Sequence, residues 1–166
     1  MPLSALALCL LLPLSAVTGA SQQDADLTAS LAPHTGIFDE VSLRVEEGTA
    51  VLTGRVVSVQ TKNALGLRVR RLPGVAAVRN DIVVLPHSAE DDGLRYRIAR
   101  AIYGHPAFWA HAARTNPPVR IIVESGHVTL AGVVGSASER ALARSLATGL
   151  GERTLTSRIR LRGEVP

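Results

Sequence analysis

The sequence predicts an α+β protein of two tandem αββαβ modules, each a small three-stranded mixed sheet packed against two helices. Three observations carry this expectation. One segment recurs without a gap 78 residues downstream, so that Gly126 answers Gly48. In both copies aliphatic residues alternate with polar ones, the period of a half-buried strand. Each copy is followed by apolar residues at helical spacing and then by another alternating run.

The repeat defines the hairpins. Val41, Val45, Glu46, Gly48, Leu52, Gly54 and Val56 meet Val119, Val123, Glu124, Gly126, Leu130, Gly132 and Val134. Val41, Leu43 and Val45 alternate, as do Val119, Ile121 and Val123, and each set reads as a strand. Gly48 and Gly126 end short polar turns, where glycine takes a positive φ without strain. The chain then returns through Leu52 and Leu130. Gly54 and Gly132 are assigned to strand geometry, and none of these four glycines calls for a ligand.

A helix follows each hairpin. Ser58 opens the first, with Leu65, Val69 and Leu72 as its stripe and Gly66 weakening it. Ser136 and Glu139 have the spacing of a capping box for the second. Leu142, Leu146 and Leu150 recur every four residues there, with Ala143 and Ala147 beside them. Closing strands are expected over Val78 to Leu85 and Leu155 to Leu161. A helix also precedes each hairpin: a short one over residues 24 to 32, and a better one from Asp91 to Tyr103, with Leu94, Ile98, Ala101 and Ile102 on one face. The polar stretch Pro86 to Asp92 is expected to link the modules, giving units over residues 21–87 and 88–166.

Residues 3 to 20 form an apolar run without a charge, ending in Thr18, Gly19 and Ala20. That pattern predicts a signal peptide cleaved after Ala20, and a periplasmic or exported location, with or without membrane association. The rival is a retained anchor, for which the run is short and interrupted by Pro13. Cys9, the single cysteine, lies inside this run, so the cleaved chain has no thiol for disulfide, nucleophile or zinc.

The composition fits a packed chain: 46% hydrophobic and 19% charged, with 3% aromatic. Lys62 is the only lysine, so arginine supplies nearly all the positive charge behind a net +4. Guanidinium groups suit phosphate and carboxylate partners. No hydrolase, zincin or phosphate-loop motif is present. His105 and His111 have no carboxylate at ligand spacing, so no metal, no cofactor and no enzymatic activity are expected.

The motifs resemble the BON domain. The second copy carries its V-x-L-x-G-x-V pattern at Val128, Leu130, Gly132 and Val134, and the first follows it with Ala50, Leu52, Gly54 and Val56. The pattern L-P-G-V-x-x-V-x-N-x-I then runs from Leu72 to Ile82. In the second copy the Gly-Val turn is replaced by Gly151 to Leu155, one residue shorter, and Ser157 stands where the first has Asn80. The resemblance covers nearly all of the chain after residue 20. It implies a double-BON envelope protein, similar to the osmotically inducible periplasmic protein, that binds anionic phospholipid or supports envelope integrity under stress. The alternative is a protein–protein adaptor in the envelope without direct lipid binding, for which exposed Val83 and Leu85 would serve.

Two sets of residues are candidates for lipid contact. Arg158, Arg160 and Arg162 alternate with Ile159 and Leu161, which puts all three on one sheet face with Arg120 and Arg153 close by. Such a stripe is either a solvated face or a basic patch for headgroups. Phe108 and Trp109 are adjacent in the stretch from Gly104 to Pro118. They suit a membrane interface or a plug over the second core. Expected partners are an anionic phospholipid surface and envelope proteins. Nucleic acid is not expected, since an export signal and few aromatics argue against it.

Overall fold

The computed structural model describes residues 24, 26–111, 114 and 116–164. The expected signal peptide lies outside the described residues. Helix α1 (residues 26–31) runs into a 3-10 turn, Ala32–His34. Then come β1 (Glu40–Glu46), β2 (Thr49–Val56), α2 (Val59–Val69) and β3 (Ala77–Val84). The second half follows with α3 (Ala89–Tyr103), α4 (Pro106–Trp109), β4 (Val119–Glu124), β5 (His127–Val134), α5 (Ala137–Leu146) and β6 (Thr154–Leu161). The sheets are ordered β1-β2-β3 and β4-β5-β6. Each joins an antiparallel hairpin to a parallel third strand, so both are mixed.

The hairpins turn on Glu47–Gly48 and Ser125–Gly126, all four residues having φ between 48° and 78°. Two successive positive φ values are the signature of the type I′ turn, whose twist matches the strands it joins. Gly54 and Gly132 meet a harder demand. A Cβ on Gly54 would lie 2.0 Å from the Glu40 carbonyl oxygen, and one on Gly132 would lie 2.1 Å from that of Pro118.

The helix caps follow the sequence. Ser58 accepts from the Gln60 amide, and Ser88 accepts from that of Asp91. The Ser88 cap puts Ala89–Asp92 into the first turn of α3, so the expected linker is shorter than Pro86 to Asp92. Ser136 accepts from the Glu139 amide at 3.1 Å, while the Glu139 carboxylate accepts from Gly135 at 2.7 Å, one residue before the cap. The stripe of α5 is centred differently from expectation. Ala143 and Ala147 are fully buried, whereas Leu142, Leu146 and Leu150 pack along the margin of the core. The small residues let the helix approach the sheet closely. Gly66 has a similar use: the Asn80 amide fills its side, donating to the Lys62 carbonyl at 3.0 Å.

Two cores result. Leu31, Leu43, Leu52, Leu65, Val69 and Ile82 fill the first, and Ile98, Ile102, Phe108, Ile121, Leu130 and Ile159 anchor the second. Ile37 and Phe38 leave the first unit and pack against the second core. Leu85, expected to be exposed, is buried, while Val83 is 52% exposed.

Both hairpin edges are closed by the preceding segments. On β1, the Thr28 hydroxyl accepts from the Leu43 amide and donates to its carbonyl, and Asp24 accepts from Val45. On β4, Tyr103 serves Val119, the Ile37 carbonyl accepts from Ile121 at 2.8 Å, and Arg95 donates to Val123. An unpaired strand edge invites association with other strands, and these contacts remove that option.

Candidate anion-binding interface

Strand β6 presents Arg158 and Arg160 on the sheet face away from the helices, and Arg162 follows in the same direction just past its end. Ile159 points inward and is buried. The alternation therefore aims the stripe as expected. Arg160 lies in register with Val133, an exposed aliphatic on β5, and Arg158 with Ala131.

The three arginines are not equivalent. Arg158 donates to Glu40 of the first unit at 2.7 Å. Arg160 and Arg162 make no side-chain hydrogen bond or ion pair among the described residues. Both are exposed. Glu164, beside them, has its carboxyl held below the ordinary range, chiefly by the Leu161 amide and also by Arg140 and Arg160.

Arg120 is placed against the other half of the chain. Its guanidinium donates to the Thr35 hydroxyl at 2.8 Å and to the carbonyls of Gly36 at 3.0 Å and Asp39 at 2.9 Å. It also reaches Asn116 at 3.0 Å. Burial lowers its pKa, opposed by the nearby charges of Asp39, Tyr103 and Glu40. Its donors thus serve the crossing segment. Asp39, itself buried, holds that segment by accepting from Gly36 at 2.8 Å and Val57 at 2.9 Å. A second ion pair between the units joins Arg55 to Glu124 at 3.1 Å. Arg153 packs its stem against Gly126 at the turn.

Phe108 and Trp109 part company. Phe108 is 1% exposed and sits in the second core, so its ring has no surface to offer a membrane. Trp109 is 68% exposed. The four-residue α4 explains the split: His105 caps it through Nδ1, Pro106 starts it, and adjacent positions on a helix point in different directions.

A cleft of about 1510 Å³ between the units gathers Arg120, Arg158, Arg160 and Arg162 with Arg44 and Arg114. Four carboxylates share it: Asp24, Glu40, Glu46 and Glu139. Three of these already serve the backbone or Arg158. Excess guanidinium charge in a concave wall suits an anionic group. Arg44 and Arg114 were not singled out from the sequence, because neither belongs to an alternating basic run.

A family model described as the BON domain matches residues 21–86 and 108–165. Among solved structures, the chain is similar to CdsD, a structural protein of the Type III secretion system of Chlamydia trachomatis. That match has 14% identity and a TM-score of 0.33, covering 88% of this chain and 63% of that one. The C-terminal domain of CdsD gives 14% and 0.32, covering 87% of this chain and 66% of that one. The periplasmic domain of the inner membrane protein PrgH from S. typhimurium gives 15% and 0.32, with coverage of 87% and 73%. The chain thus spans less than two thirds of the two Chlamydia chains. No curated protein sequence matches.

Proposed function

The chain belongs to the BON domain family, and from that premise we propose that it is an exported envelope protein that engages anionic phospholipid and so supports the envelope under stress. The BON domain is a non-catalytic domain, and no residue here is assigned a nucleophile or base role. The observation that carries the reading is the exposure of Arg160 and Arg162, which make no side-chain hydrogen bond or ion pair among the described residues, beside Val133. Cations next to an exposed aliphatic suit the headgroup region of an anionic bilayer, at roughly 1 kcal/mol per Arg near the surface. Trp109 extends the same chemistry, since indole favours that interface. Arg158 contributes while its bond to Glu40 keeps the stripe in place. Arg120 lies on the same sheet face, two strands over from Arg158, with its donors committed to the crossing segment, and Phe108 packs in the second core.

The test is co-sedimentation of the exported chain with neutral and anionic phospholipid vesicles across a salt series. Binding to anionic vesicles alone, fading as salt rises, is expected, and replacing Arg158, Arg160 and Arg162 by Ser should weaken it. Undiminished binding of that variant would remove the stripe from the account. A second reading, a protein adaptor in the envelope, draws on exposed Val83 on β3. It predicts a specific crosslinked envelope partner that a Val83→Ser variant loses.

A further inference from the structure

The longest acid-free stretch of the chain lies in the first unit. From residue 48 to residue 80 there are six cations, Arg55, Lys62, Arg68, Arg70, Arg71 and Arg79, and no Asp or Glu. Arg55 pairs with Glu124 and Arg79 with Asp81. The other four belong to α2 and its C-terminal turn. Their side chains make no hydrogen bond or ion pair among the described residues. Arg68, Arg70 and Arg71 are exposed, and Lys62 is half-buried.

The apolar residues of α2 divide into two sets. Leu65 and Val69 point into the core and are fully buried. At 100° per residue the opposite arc holds Val59, Asn63, Leu67 and Arg70, with Arg71 beside them. On that arc Val59 is 53% exposed and Leu67 57%. Next to Leu67 lies a recess of about 560 Å³ lined by His34, Ala64, Leu67, Arg68, Arg71 and Leu72, with no carboxylate. A helix dipole accounts for cations in a last turn. It does not account for two aliphatic side chains left in water among them.

We propose that the outward face of α2 is a second surface for anionic phospholipid, separate from the β6 arginines and able to act without them. The occupant is a bilayer surface because both halves of its chemistry are present. Arg68, Arg70 and Arg71 meet phosphate, and Leu67 and Val59 enter the boundary between headgroups and acyl chains, as on interfacial basic helices. A single-stranded nucleic acid fits less well. No Phe, Tyr or Trp lies between Phe38 and Tyr96 to stack a base.

The inference goes beyond the reading above, which concerns the second unit, and the two are separable by experiment. The exported chain is compared with three variants: Arg68→Ser/Arg70→Ser/Arg71→Ser, Leu67→Ser, and Arg160→Ser/Arg162→Ser. All six positions are exposed, and melting temperature checks that each variant is folded. Binding is measured by co-sedimentation with phosphatidylcholine vesicles with and without phosphatidylglycerol. The α2 triple variant should lose about tenfold or more in apparent affinity for the anionic vesicles, with a shallower salt dependence. Leu67→Ser should lose less and keep its salt dependence. If the triple variant binds like the parent while the β6 variant does not, the α2 surface is overturned and the β6 reading stands. The reverse pattern leaves α2 and removes β6. A parent that ignores anionic vesicles at low salt overturns both. Loss of retention on immobilised single-stranded DNA with vesicle binding intact replaces the lipid by a nucleic acid.

Discussion

The hydroxyl of Tyr103 satisfies both backbone groups of Val119: it donates to the carbonyl and accepts from the amide at 3.2 Å. One side chain on α3 thereby closes the start of the β4 edge. Tyr103→Phe leaves a buried N–H and a buried C=O without a partner. That should cost about 1–3 kcal/mol, measured as a lower urea midpoint at unchanged slope. An unchanged midpoint would show that the hydroxyl is dispensable.

The same burial pushes the Tyr103 phenol up to about 12, since desolvation outweighs the hydrogen bond to Val119 and the nearby Arg120. Its folded pKa lies above the ordinary value of 10.0. The linked stability is therefore full below pH 10 and lost as pH rises through about 12. Absorbance at the tyrosinate band should show a step near pH 12 that disappears in Tyr103→Phe.

Arg120 ties the segment from Thr35 to Asp39 onto the second unit. Arg120→Ala should lower stability by about 1–3 kcal/mol, because half-buried carbonyls lose a charged donor. Its affinity for anionic vesicles should fall less than that of the Arg160→Ser/Arg162→Ser variant. A larger fall in vesicle binding than in thermal stability would return Arg120 to the lipid surface.

Phe108 and Trp109 predict opposite outcomes from neighbouring substitutions. Phe108→Ala empties a core site and should cost about 3–5 kcal/mol. Trp109→Ala changes an exposed side chain and should stay within about 0.5 kcal/mol. Trp109 is the single tryptophan, so a blue shift of its emission on adding anionic vesicles reports its contact directly. No shift during demonstrated binding would take it out of the interface.

Gly132→Ala puts a Cβ against the Pro118 carbonyl at a φ of 126°. A loss of about 3 kcal/mol is expected in chemical denaturation. Gly149→Ala, with nothing within 4 Å of its Cβ, isolates the cost of the positive φ alone and should lose less. Equal losses would refute the close approach as the cause.

Much of this molecule is legible in local sequence. The type I′ turns at Gly48 and Gly126 follow from glycine after a polar residue between alternating runs. The outward aim of Arg158 and Arg160 follows from a period of two. The centre of the α5 stripe is not legible in this way, since Leu142 and Leu146 outrank alanine in hydrophobicity. Yet Ala143 and Ala147 take the centre, because distance to the sheet decides which face packs.

By itself the sequence determined the order of elements, the turns, the repeat and the direction each strand residue faces, because these depend on backbone periodicity within a few neighbours. Only the tertiary structure decided which of those residues are spent. Arg158 meets Glu40, Arg120 meets Thr35 and Phe108 enters a core, whereas Arg160, Arg162 and Trp109 remain exposed. A side chain's direction is a local property, but its burial and pairing depend on what a distant part of the chain lays over it.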